Sequence, residues 1–405
     1  MNNQPYGIPP HHWPAQMTPW WFRLTGPIRT RALRQQKINR VDVVGLDRLE
    51  LSIRSGHGIL LAPNHSFHWD SYCLVAAAER LATPLYIMTA WQVFDASNWF
   101  ERMSMQRCGC FSVDREGTDL TSMKTALDIL QSRPHPLVIF PEGDVYHTND
   151  RVTPFRDGAA AIALMAARKS ERPIDVFPVA IKRWYTEDPT PCMLDTVSKL
   201  EQRLYWRPKS QGSLTSRILR IAEGLLSLKE LEHLKATKAG PLGERIHALA
   251  SSVLERCEER YGIERREFIL PERVKEVRRK IISDREINNE NATLLQKQQW
   301  SSDMDDMFFA TQLYSYPGDY LSAHPSLERL AETLDKLEED ALGASYPTVR
   351  AGREAMVQFD EPIALPLGKE KRWSPAELTD RVEERVQAML DEMNRARPSL
   401  AIEPQ

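Results

Sequence analysis

GILLAPNHSFHWDS, residues 58–71, changes character halfway along: an aliphatic run stops at Pro63, and an asparagine, two histidines and an aspartate follow. A short apolar run of this kind reads as a strand buried on both faces of a parallel sheet. Asp70 and Ser71 read as the opening of the next helix, where a carboxylate or hydroxyl satisfies free amides. In open α/β sheets ligands gather at the carboxyl ends of strands, so His65 and Asp70 stand at the mouth of the sheet. There an imidazole can take a proton from a hydroxyl, and an aspartate on its other nitrogen fixes the tautomer and steadies the cation. The His-x4-Asp spacing alone fits equally well a helix-capping aspartate beside a polar loop histidine.

Working outward, short β-branched runs alternate with helical patterns from about 40 to 185. Strands are predicted at Arg40–Val44, Gly58–Ala62, Pro84–Met88, Phe111–Asp114, Pro136–Phe140 and Asp175–Ile181. Helices are predicted at Ser71–Leu81, Ser97–Arg107, Thr118–Gln131 and Asp157–Ala167. Alternation of this sort implies an α/β fold, a mostly parallel central sheet flanked by helices. From about 190 to 345 the sequence is charged and amphipathic at helical spacing, as in GERIHALASSVLERCEERY. A strand-like run returns at Ala355–Leu365, and Ser374-Pro375-Ala376-Glu377 then opens a helix expected to reach Arg397. The expected organisation is an N-terminal aromatic and arginine-rich segment at 1–39, an α/β core at 40–189, and a long helical insertion at 190–350. The final strand and C-terminal helix at 351–397 complete the core, and 398–405 form a tail. No internal repeat stands out.

Composition sets limits. Among 405 residues, 42% are hydrophobic and 27% charged, with a formal net charge of −3. That excludes a whole-chain attraction to nucleic acid. Five cysteines at irregular spacing make no disulfide framework, and Cys108-Gly109-Cys110 has no second pair to complete a zinc site. No run approaches the ~20 apolar residues of a membrane span, and MNNQPYGIPPHHWPAQM lacks a signal-peptide core. The expectation is a cytoplasmic protein, peripheral on the cytoplasmic face of a membrane. Trp13, Trp20, Trp21 and Phe22 ahead of Arg23, Arg29, Arg31, Arg34 and Arg40 suit a headgroup boundary. The same rings also suit cover for an exposed flank of the core.

Two further strand ends carry chemistry. Phe140-Pro141-Glu142-Gly143-Asp144 stops a strand in a proline, a carboxylate and a glycine that permits a tight turn. Glu142 there is either an acceptor for a ligand's hydroxyls or a solvated turn residue. Gly109-Cys110-Phe111-Ser112-Val113-Asp114-Arg115 ends in a guanidinium suited to phosphate, or to a surface ion pair with Asp114 or Glu116. His57, His65, His68 and Asp70 also invite reading as metal ligands of a hydrolase. With no second carboxylate cluster downstream, no metal is expected.

In order, Asn64-His65-x4-Asp70, Gly109-x-Phe111-x-x-Asp114-Arg115, Phe140-Pro141-Glu142-Gly143 and Val176-x-Pro178-Val179 resemble the four blocks of the glycerolipid acyltransferase family, the lysophosphatidic acid type included. Pro154-Phe155-Arg156-Asp157-Gly158 is similar to that family's entry to the next helix, and Phe359-Asp360-Glu361-Pro362-Ile363 to a late strand. The resemblance covers roughly 40–185 and 353–397. It implies acyl transfer from acyl-CoA or acyl carrier protein as co-substrate, with no cofactor, to a hydroxyl of a lysolipid acceptor. His65 would be the general base, oriented by Asp70. Arg115, Glu142 and Gly143 would bind the acceptor, and Asn64, His68, Trp69, Phe140, Pro141, Asp144 and Arg156 would line the acyl or acceptor site. Asp144 and Val145 stand where the family continues with threonine or serine and then arginine. A carboxylate in place of a cation disfavours a phosphate, which leaves a neutral or zwitterionic lysolipid or a glycolipid as the alternative acceptor. A non-catalytic membrane-surface scaffold is the reading outside enzymes.

Overall fold

The computed structural model describes residues 10–115, 117, 119–208, 212–264, 268–288, 290–323, 325–366, 373–397 and 399–400. Of the tail 398–405 only two residues are therefore described, and Glu116 and the first nine residues lie outside. Two compact units result: Gly7–Pro189 with Val349–Ala401, and a second whose body is Thr190–Thr348.

The first unit begins with α1 (Pro19–Leu24), α2 (Gly26–Gln35), β1 (Ile38–Val44), α3 (Leu46–Arg54), β2 (Gly58–Pro63) and α4 (Asp70–Glu79). It continues through β3 (Tyr86–Ala90), α5 (Trp91–Ala96), α6 (Trp99–Arg107), β4 (Cys110–Val113), α7 (Leu120–Ser132), β5 (Leu137–Val138), α8 (Gly158–Lys169) and β6 (Ile174–Tyr185). The second unit holds α9 (Thr190–Arg203), α10 (Leu214–Leu234), α11 (Leu242–Arg260), α12 (Leu270–Asn288), α13 (Leu294–Tyr314), α14 (Tyr320–Ala323) and α15 (Leu327–Leu342). The chain then returns to the first unit as β7 (Arg353–Phe359), β8 (Ile363–Leu365) and α16 (Pro375–Ala396).

The sheet runs β1-β7-β6-β2-β5-β3-β4, with β8 also on β6. The five strands from β6 to β4 are parallel, while β7 and β8 run antiparallel to β6, so the sheet is mixed. Every residue of β2 and β6 is buried, because helices cover both faces as a parallel sheet requires. On one face Leu60, Ala62, Val176 and Ala180 pack with α7, α8 and α16. On the other Ile59, Leu61, Phe177, Val179 and Ile181 pack with α3 and α4.

The single strand expected at Ala355–Leu365 is two. Opposite the gap lies Pro178, which has no N–H to give that edge. There the chain leaves the ladder at Asp360-Glu361-Pro362, and the Asp360 amide donates to the Pro178 carbonyl. Predicted Pro136–Phe140 keeps only two ladder residues, although the Ile139 amide still reaches the Leu61 carbonyl. Helices α3 and α5 were not expected from the pattern. Both are short, and their neighbours decide them.

The helical unit carries a device repeated three times. A buried glutamate near the end of one helix takes a two-pronged guanidinium from the next: Glu201 with Arg217, Glu230 with Arg245, Glu258 with Arg273. Each fork closes consecutive helices across their turn, which is the geometry arginine is shaped for.

Candidate active site

The site assembles where the sheet's carboxyl ends meet. β2 stops at Pro63, but β6 runs on to Tyr185, and its exposed backbone edge needs partners. Asn64 supplies them with its side chain, donating to the Ile181 carbonyl at 3.0 Å and accepting its amide at 2.7 Å. Two residues further along β6, Asn149 repeats the pattern on Arg183 at 2.7 and 2.9 Å. Asn64 is thus a side-chain extension of the strand, and it anchors the loop that carries His65.

Asp70 is fully buried at the first turn of α4. Its Oδ2 accepts the amides of Ser66 and Phe67 at 2.8 and 2.7 Å and faces His65 Nδ1 at 3.2 Å. Far from capping α4, the carboxylate ties the preceding loop into a tight turn around itself. An acceptor-only carboxylate places the imidazole proton on Nδ1, which leaves Nε2 as the basic nitrogen. The ring lies against Phe140, centroids 4.1 Å apart, and keeps about a fifth of its side-chain surface open. A held, partly exposed imidazole with a carboxylate behind it can remove a proton from a hydroxyl placed at Nε2.

The loop after β5 holds the other side. Glu142 is buried, and its oxygens accept the amides of His65 at 2.5 Å and Thr153 at 3.1 Å. Burial pushes its carboxyl up to about 8, against the opposing pull of those two amides. Gly143 has φ +78, and a Cβ there would meet the Arg156 guanidinium at 2.9 Å. Only glycine suits both constraints. The turn closes from the Gly143 amide to the Phe140 carbonyl, and the Arg156 amide bonds the Pro141 carbonyl. Tyr146, buried in the same loop, donates its amide to the His65 carbonyl, and burial pushes its phenol up. The loop therefore grips both backbone groups of His65.

Arg115, just past β4, donates from Nη1 to the Gly143 carbonyl at 2.6 Å and lies 3.7 Å from Asp144 Oδ1. Its Nε and Nη2 are buried without a hydrogen-bond partner. His68 and Trp69 follow His65 in the loop, with Trp69 tilted against Phe67 at 5.2 Å and edge-on to His68 at 6.2 Å. His57, considered above as a metal ligand, precedes β2 and bonds Asp175 at 2.8 Å beside Ser52. The length of β2 separates it from His65.

Sequence reading missed Arg183, Asn149, Tyr146 and Thr153. Arg183 had a signal: in VFPVAIKRWY the period-two row Phe177, Val179, Ile181 ends in a cation. The others lie in irregular chain, where no periodicity marks them.

Comparison with known proteins adds two findings. A model of the acyltransferase family matches residues 40–182. A 1-acyl-sn-glycerol-3-phosphate acyltransferase of Streptococcus pneumoniae (strain ATCC BAA-255 / R6) is 31% identical over 110 residues. That alignment spans 27% of this chain and 37% of the relative's length.

Proposed function

We propose, from the match of residues 40–182 to the acyltransferase family model, that the protein moves a fatty acyl group from an acyl thioester, acyl-CoA or acyl carrier protein, to a hydroxyl of a lysophospholipid of the 1-acylglycerol-3-phosphate type. The observation that carries this reading is the His65–Asp70 pair at the carboxyl end of β2, its carboxylate held by backbone amides and its imidazole keeping about a fifth of its side-chain surface open. His65 Nε2 takes the acceptor's hydroxyl proton as its oxygen attacks the thioester carbonyl. The tetrahedral intermediate collapses with loss of the C–S bond, and the imidazolium returns its proton to the leaving thiolate. No covalent acyl-enzyme and no resident cofactor enter this scheme. Arg115, Glu142 and Gly143 shape the acceptor side, Glu142 through the loop it fixes.

A second acceptor reading has its own support. Arg115 already faces a carboxylate and a carbonyl, so a dianionic phosphate would approach Asp144 as well as the guanidinium. A neutral or zwitterionic monoacyl lipid, or a glycolipid, meets no such repulsion.

A lipid surface as partner is supported by exposed rings. Trp20, Trp99 and Phe100 lie open, Trp21 touches both Trp20 and Phe100, and Arg23, Arg31 and Arg34 are exposed nearby in sequence. Trp13 and Phe22 instead pack inward, on Phe94 and in the core. Among the described residues no helix is long and apolar enough to cross a membrane.

The test is an acyl-transfer assay with long-chain acyl-CoA and a panel of lysophosphatidic acid, neutral and zwitterionic lysolipids and a glycolipid, read by mass spectrometry. Transfer should fall at least about 10³-fold in His65→Ala. An alanine variant as active as the wild type would remove the proposal.

A further inference from the structure

The buried centre behind His65 holds two polar atoms that lack partners, and they face each other. Asp70 Oδ2 takes all three of that carboxylate's hydrogen bonds, and Oδ1 has none. Arg183 Nε also has none, and it lies 4.0 Å from Asp70 Oδ1. Both side chains are almost wholly removed from water. Unpaired buried donors and acceptors are rare, and an unpaired buried charge is rarer.

The guanidinium is held in place by other contacts. It stacks on the Phe67 ring at 4.0 Å, and Nη2 reaches the Ser66 hydroxyl and carbonyl at 3.3 and 3.4 Å. Its backbone is clamped by Asn149. Ser66 and Phe67 are the residues whose amides bind Asp70, so Arg183 grips the same turn from its far side. An ordinary structural ion pair would close to hydrogen-bond distance. Here the cation is kept within Coulombic range without taking the oxygen that orients His65.

We propose that Arg183 is a positioning residue for the His65–Asp70 pair, holding the Asp70 carboxylate turned toward His65 while leaving Oδ2 to the imidazole. The inference rests on the acyl-transfer reading of the site. The charged and titratable groups around Asp70 are His65 in its own loop, Cys73 on α4, Glu142 after β5, Arg183 on β6 and Arg353 on β7. Removing the Arg183 cation makes this set more negative. The pair then keeps its proton to higher pH, and the acid limb of activity moves up.

The experiment compares wild type, Arg183→Met and Arg183→Lys, each checked by thermal unfolding. kcat and KM are measured from pH 5 to 9, and His65 is titrated by NMR in ¹⁵N-histidine-labelled protein. Arg183→Met should lose about 10–100-fold in kcat with KM for the acyl donor within about twofold. Its acid limb and its His65 midpoint should both rise by about one pH unit. Arg183→Lys, which keeps the charge but not the planar stack, should keep the wild-type limb. Equal limbs and equal His65 midpoints in all three proteins would overturn the inference. If Arg183→Met does not fold, a rise of the midpoint with the uncharged, polar Arg183→Gln relative to Arg183→Lys decides in its place. A wild type without acyl transfer would sink the activity reading alone, since the His65 midpoints still test the role of Arg183.

Discussion

Each unit holds a set of buried carboxylates, and the two sets are held in different ways. In the helical unit Glu201, Glu230 and Glu258 each receive a complete arginine fork, with distances of 2.6–3.3 Å. In the α/β unit Asp70 and Glu142 receive backbone amides instead, and the cation near Asp70 stands off at 4.0 Å. A closed fork neutralises its carboxylate and leaves nothing for a substrate. At Asp70 the amides stabilise a charge without supplying a counter-charge, so the field of that carboxylate remains directed at His65. The first arrangement joins helices; the second holds the His65 loop and its imidazole in place.

Two variants separate these roles most widely. Asp70→Asn preserves shape but removes the charge that fixes the His65 tautomer, and it should lower kcat about 10³-fold or more. Its melting temperature should change far less than its activity. Arg245→Met leaves Glu230 buried with the Lys238 amide but without its guanidinium, and should cost about 3 kcal/mol of stability with kcat within about twofold of wild type. Adding Glu230→Leu should return most of that loss, because a buried pair replaced by apolar groups is close to neutral. Denaturant unfolding and kcat on the same preparations check all three. If Arg245→Met harmed catalysis as much as stability, the division between the units would break.

The sequence made the α/β unit legible where chemistry and periodicity coincide. The apolar runs at 58–61 and 176–181 marked the central strands, and the abrupt polar ends marked where His65, Asp70 and Glu142 would gather. Two things escaped. Pro178 splits the last strand by a missing amide on one edge, and which edge it faces depends on strand order. The glutamate–arginine forks recur at separations of 15 or 16 residues, yet they emerge as a repeat only once the helix ends are known. Glu142 was expected to meet a ligand or water. Its burial follows from two amides, His65 and Thr153, that lie far apart in sequence and give no local signal.

Glu142 sharpens the contrast in a different way, since it is a carboxyl raised by burial while Glu230 is lowered by its arginine. A native carboxyl near 8 stays protonated after the unfolded chain has ionised at about 4.5. The unfolded state then binds fewer protons, so stability falls as pH rises between those two values and is flat outside them. Glu142→Gln does not titrate. The stability of wild type minus that of Glu142→Gln should therefore shrink from pH 5 to pH 8.5, by up to about 4 kcal/mol. Glu230→Gln should show the opposite sign, its gap widening as pH rises from acid toward neutrality, because the ionised form of Glu230 is the one the fold favours. Parallel curves for the two pairs would mean that the amides at Glu142 outweigh its burial.

Asp144 gives the finest test, because its pairing with Arg115 is looser than any fork in the helical unit. Nη1 is 3.7 Å from the carboxylate and its shorter bond goes to the Gly143 carbonyl, while Nε and Nη2 keep unused donors. Asp144→Thr removes the nearby negative charge and leaves the guanidinium anchored by that carbonyl. Charge-assisted donors without a competing carboxylate favour phosphate. The ratio of kcat/KM for lysophosphatidic acid over that for a neutral monoacyl acceptor should rise about tenfold, a change of about 1.4 kcal/mol. An unchanged ratio would mean that Arg115 serves only to brace the Gly143 turn, as the helical forks brace their helices, and that the acceptor's head is read elsewhere.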